Sequence, residues 1–156
     1  MRNKSSFVIA AAMLAVCLGP VARAEQVPAA IQARYNSLIA IVLNRDLKRY
    51  DAFYPAVYVS VDPTGKTSNR AKYLHAAHDL FKGAKAITID LKFTGVTRHA
   101  GIVDVAFDCR GTITGPSGKT TFHEVGTDSW KKIGKVWTEI RTVDKVMDVI
   151  TPKAIG

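Results

Sequence analysis

The chain has 156 residues, with 22 Lys and Arg against 13 Asp and Glu, for a formal net charge of +9. Two cysteines are too few for a disulfide-stapled scaffold, so a hydrophobic core must hold the fold. The basic residues are scattered, with no dense run and no interleaved aromatics, which argues against a nucleic-acid partner.

The first residues have the grammar of an export signal. Arg2 and Lys4 make a positive start, residues 7–18 are uncharged and apolar, and Ala22 and Ala24 place small residues where a signal peptidase reads. As a helix that apolar run spans about 18 Å, short of a hydrocarbon core of about 30 Å. Residues 1–24 are therefore expected to be a cleaved signal peptide, and the protein periplasmic or secreted, with no integral membrane segment left. Cys17 follows Val16, where a lipoprotein signal would want a small residue. Removing 24 of the 156 residues leaves 132, one domain's worth, with Cys109 as the sole cysteine.

Ile31, Tyr35, Leu38 and Val42 recur at helical spacing and predict a helix to about Leu43. Asp46 suits the N-cap of a second, short helix carrying Leu47, Tyr50, Phe53 and Tyr54, and Pro55 stops it. Residues 57–61 read as a strand and residues 62–65, Asp-Pro-Thr-Gly, as a turn. Ser68 or Asn69 caps a third helix over 70–82, ended by Gly83.

The period then changes to two. Ile87, Ile89, Leu91 and Phe93 alternate with polar residues, as do Val103, Val105, Phe107 and Cys109. Residues 115–118 form a hairpin loop, 120–131 a strand, Gly134 lies in a turn, and 136–143 form the last strand, followed by an irregular tail from 147. Three N-terminal helices packed on a curved antiparallel sheet make an α+β fold with a concave pocket.

This order resembles the cone-shaped superfamily of nuclear transport factor 2, SnoaL-like polyketide cyclases and ketosteroid isomerases. The likeness covers residues 31–144. It rests on residues 40–46 (Ala-Ile-Val-Leu-Asn-Arg-Asp), 50–54 (Tyr-Asp-Ala-Phe-Tyr), 59–65 (Val-Ser-Val-Asp-Pro-Thr-Gly) and the stretch from Asp128-Ser129-Trp130 to Trp137. Against ketosteroid isomerase, the resemblance places Asp62 at the general base and Asp128 at the protonated donor to the enolate oxygen. Leu38 occupies the place of that family's oxyanion tyrosine, and Tyr35 lies one turn earlier on the same face.

Each candidate has a plainer reading beside the functional one. Asp62 is either a base at the pocket mouth or the first residue of a turn, its carboxylate accepting backbone N–H groups. Asp128 shares strand parity with Phe122, Glu124 and Trp130, and Trp137, Glu139 and Arg141 share another. If both sets face inward they line one cavity; if outward, they form a cross-strand ion network. Tyr54, Tyr58 and Phe107 are candidate cavity residues or simple core. His78 is a ligand-facing donor or a partly buried side chain bonded to the backbone, and with His75 it makes a weak metal pair. Cys109 alternates with core residues and reads as a buried, inert thiol.

The expectation is an exported SnoaL-like domain that binds a small, partly apolar organic molecule, with no metal or cofactor. One alternative is a cofactor-free acid–base enzyme of isomerase, dehydratase or cyclase type, with Asp62 as base and Asp128 or Tyr35 at the oxyanion. Another is a non-catalytic module that forms a homodimer or binds a partner through its sheet.

Overall fold

The computed structural model describes residues 25–116 and 118–151; the expected signal peptide lies outside them. Helix α1 (Ala29–Leu43) follows Pro28 and buries Ile31, Tyr35 and Ile41. It ends in a Schellman turn: Asp46 N–H bonds Ile41 O at 3.0 Å and Arg45 N–H bonds Val42 O at 2.9 Å. Arg45 takes the left-handed conformation (φ 54°) that this turn requires. Asp46 then caps α2 (Leu47–Phe53) by accepting from the N–H of Arg49. Asn69 caps α3 (Arg70–Phe81) in the same way, through the N–H of Lys72.

The strands are β1 (Val59–Val61), β2 (Thr67–Asn69), β3 (Ala86–His99), β4 (Ile102–Gly115), β5 (Gly118–Ile133) and β6 (Val136–Ile150). They form one six-stranded sheet in the order β2-β1-β6-β5-β4-β3. All pairs are antiparallel except β1 with β6. Two details differ from expectation. Residues 67–69 form a strand, since the turn at 62–65 folds this polar segment back along β1, and a polar segment has no periodic signal. Residues 147–150 are also not irregular, because β6 continues through Ile150 paired with Thr121 of β5.

The helices cover the inner, concave face of the sheet. Trp130 and Ile31, both at 0% exposure, centre the dry part of the core. The Trp130 indole packs edge-on against Tyr35 and Phe53, with Val103 and Val105 of β4 beside it in one cluster. Burying rings of this size dominates the stabilisation of so small a domain.

Strand β6 does not keep one parity. Ser129 pairs with Arg141 but Trp130 pairs with Glu139, so Ile140 is an extra residue; Val125 pairs with Val146 but Gly126 with Asp144, so Lys145 is another. Each β-bulge moves the inward set by one position. The inner face therefore passes from Glu139 to Thr142 and Asp144, then to Met147 and Val149. This re-aiming decides which residues reach the cavity.

Candidate functional site

A cavity of about 410 Å³ lies between the helices and the inner face of the sheet, within the range of small-molecule sites. Its walls are largely apolar: Leu38 and Val42 of α1, Ala77 of α3, Leu91 of β3, and Phe107 and Phe122 of the neighbouring strands. Tyr50, Tyr54 and Tyr73 form a second wall. The Tyr50 hydroxyl donates to that of Tyr73 at 3.1 Å, and the hydroxyls of Tyr54 and Tyr73 lie 3.3 Å apart. Burial raises all three phenols, Tyr50 to about 12, so they are neutral donors.

Four carboxyl groups line the same cavity from two adjacent strands: Glu124 and Asp128 of β5, Glu139 and Asp144 of β6. Asp128, Glu139 and Asp144 are buried. Gly126 makes the crowding possible, since a Cβ there would lie 2.9 Å from Asp144 Oδ1 and from Phe107 Cζ. Burial is the largest cause of an upward pKa shift in all four acids. Asp128 is raised to about 7, even though hydrogen bonds from Thr142 and Tyr35 favour its charged form. Glu139 stands well above the usual carboxylate range through burial and the charge of Asp128, and Glu124 through burial and the charge of Asp144.

Hydrogen-bond geometry points independently to a bound proton here. Tyr58 donates to Thr142 Oγ1 at 3.0 Å, and that oxygen lies 2.7 Å from Asp128 Oδ1 and 2.9 Å from Glu139 Oε1. The Thr142 hydroxyl has one proton and cannot donate to both carboxyls. Both contacts are satisfied as hydrogen bonds when one acid is protonated and donates to Thr142. Asp128 also accepts from the Tyr35 hydroxyl at 2.8 Å, which itself accepts from Trp130 Nε1 at 3.0 Å. Asp128 is thus the better hydrogen-bonded of the two, and Glu139, whose pKa is raised well above the ordinary value, is the acid that holds the proton. Glu139 Oε2 then remains buried with no hydrogen-bond partner.

Of the residues expected at the site, Tyr35, Tyr54, Phe107, Asp128 and Glu139 do line this cavity. The others do not, for identifiable reasons. Asp62 Oδ1 accepts from Thr64 N–H, Thr64 Oγ1 and Lys66 N–H. These bonds, the Thr64 hydroxyl first, hold its pKa below the usual aspartate value. It is a turn residue near the rim, and its charge reaches Asp144, but its carboxylate is ill-suited to take a proton. Arg141 is exposed on the outer face, since the bulge at Ile140 reverses its parity. It borders a shallow hollow there with Val59 and Ile133.

Trp130 and Tyr58 lie behind the cavity as core, donating to Tyr35 and Thr142. Trp137 packs against that core, partly buried. His78 Nε2 lies 2.6 Å from Asp51 Oδ1 on the helical side. Cys109 lines the cavity with its thiol raised to about 12, burial first, which leaves it a poor nucleophile. Thr142, Asp144 and Tyr73 were absent from the expected set. The first two were hidden by the bulges. Tyr73 is on the same turn as Leu74, so helical spacing alone could have suggested it.

No protein-family model matches the sequence, and no curated protein sequence matches it. Solved structures do. A conserved protein from Planctomyces limnophilus shares 12% identity, with 78% of this chain and 95% of that chain covered at a TM-score of 0.67. LinA shares 16%, covering 81% and 90% at 0.63. A protein of the nuclear transport factor 2-like family from Streptomyces avermitilis shares 12%, covering 74% and 91% at 0.61. At such identities the likeness carries the architecture alone: the chain has the nuclear transport factor 2-like cone fold, three helices on a curved and mostly antiparallel sheet.

Proposed function

We propose that this domain, exported to the periplasm or the medium, binds a small, partly apolar organic molecule in the cone. The observation that carries the reading is a single cavity with a broad apolar wall and a compact set of polar groups at one place. Apolar walls supply affinity and the few polar groups fix orientation. Ala77 lines the cavity from α3, so Ala77→Trp should fill it. NMR shift mapping with 2-phenylethanol should perturb Leu91, Phe107 and Tyr73 in the parent and leave them unmoved in the variant. Shifts that ignore the variant would refute the reading.

A second reading has its own support. Asp128, raised to about 7 and touched by a neutral phenol, has the proton affinity expected of a general base near neutral pH. In an acid–base enzyme on this scaffold, Asp128 would take the role first given to Asp62, with Tyr35 as its donor. Asp128→Asn should then abolish any turnover, while Asp62→Asn should preserve it.

A further inference from the structure

The four cavity carboxyls pose an unbalanced charge problem. Among the residues lining the cavity, the cationic types are Lys72 and His123. Lys72 is exposed on α3, at the mouth, and His123, of outer-face parity, has its Nε2 engaged there by Asp108 Oδ1 at 3.1 Å. The remaining titratable groups lining the cavity are Tyr35, Tyr50, Tyr54, Tyr73 and Cys109, all neutral when protonated; behind them Tyr58 acts on Glu139 and Asp128, and the Asp62 carboxylate acts on Asp144 from the rim. Arg34 of α1 acts on Glu139 from outside the lining. It makes no hydrogen bond to Glu139; its guanidinium sits 4.2 Å over the Phe53 ring and its Nε is unpartnered.

The acids also keep open valences. Glu139, 2% exposed, and Asp144, 6% exposed, both line the cavity, and each has one carboxyl oxygen without a hydrogen-bond partner. A proton on Glu124 can serve Asp144, since those two carboxyls are in contact. Nothing serves Glu139 Oε2 among the described residues. Leaving a buried acceptor unpaired is costly, and the cost is relieved by a ligand that brings a donor. Four tyrosines line the same cavity, and a tyrosine ring face attracts a cation. No group of three or more His, Cys, Asp or Glu side chains among the described residues is arranged to hold a metal ion.

We infer that the cavity selects a protonated amine on an apolar body, its ammonium group donating to the unpartnered Glu139 oxygen and its carbon frame lying along Leu91 and Phe107. The inference rests on the reading above that the cavity binds a small organic molecule, and it names that molecule's charge. It has a second consequence. An arriving ammonium favours ionised carboxyls, so binding releases protons from the acid cluster to solvent.

The test is calorimetric titration of the full domain with 2-phenylethylamine, 2-phenylethanol and 3-phenylpropionate at pH 7.5. The amine should bind at least about tenfold more tightly than the alcohol, and the carboxylate most weakly. Glu139→Gln should remove the amine's advantage and keep the alcohol's affinity. Should that variant fail to fold, the parent protein alone is sufficient. Its amine affinity should rise from pH 5 to pH 8, and the measured heat should depend on the buffer's ionisation enthalpy in the sense of proton release. An alcohol that binds as tightly as the amine would overturn the amine inference and leave cavity binding standing. Calcium ion displacing the amine at equal concentration would also overturn it. If no probe binds, or none is displaced by Ala77→Trp, both readings fall.

Discussion

The two faces of the sheet treat the same residue type in opposite ways. On the outer face, Asp108 bonds Arg110 Nε at 3.2 Å and His123 Nε2 at 3.1 Å, and its pKa lies below the ordinary aspartate value, the Arg110 bond first among the causes. On the inner face Asp128 has no cation in contact, accepts only from neutral hydroxyls, and is raised to about 7. Solvent and nearby cations explain the first; desolvation outweighing two hydrogen bonds explains the second. Among the described residues the cations lie mostly outside, Arg34 apart, and a knot of acids lies inside. Cation pairing on the outer face is cheap and weak; the inner acids are held by protons.

That contrast can be broken experimentally, beginning where the effect is greatest. Trp130→Ala removes a fully buried ring and a donor to Tyr35, and should cost about 3–5 kcal/mol in denaturant unfolding. A loss below about 1 kcal/mol would mean the inner face is not the packed core described above.

Next comes pH. The inner acids have folded pKa values above their unfolded ones, so the native state binds more protons than the unfolded state across the interval between them. Their contribution to stability is full below about pH 4, and the share of Asp128 is lost as pH rises through about 7. The melting temperature should therefore fall by roughly 5 °C or more from pH 5 to pH 8, and Glu139→Gln should flatten the decline. A melting temperature that climbs across this window would contradict the sign. The lowered pKa values of Asp62 and Asp108 work in the other direction, and only as pH falls below about 4.

Third, Gly111→Ala would set a Cβ 2.1 Å from Thr88 O and 2.5 Å from Phe122 Cζ on the inner face. An overpacking cost of about 1–3 kcal/mol is expected in the same unfolding assay. Asp108→Asn is the smallest. Arg110 is largely exposed and His123 and Asp108 are partly so, and the midpoint should not move measurably.

Much of this was legible from residues alone. Helical spacing of Ile31, Tyr35, Leu38 and Val42 found the face of α1, and Asp46 marked the start of α2. Period-two alternation found the inner set of β4, and on β5 it correctly grouped Phe122, Glu124, Asp128 and Trp130. On β6 the same logic failed for Arg141 and missed Thr142 and Asp144. A bulge depends on how a strand pairs with its neighbour, and β6 residues 136–146 show nothing in their own sequence that marks Ile140 or Lys145 as extra. Asp62 shows a different limit. Its Asp-Pro-Thr-Gly setting fitted both a turn and a family base, and only the three hydrogen bonds to Oδ1 separate them. Large aromatics misled in a third way: Trp130 and Trp137 were expected to line a ligand site, but they are held by core partners.

The direct test of the inner-face account is a carboxyl carbon NMR titration of Asp128 and Asp108 in one sample. Asp128 should titrate at about 7 and Asp108 below the ordinary aspartate value of about 4. An Asp128 midpoint at or below about 4 would show that the cavity floor is charged and solvated in the free protein, and the account would fail.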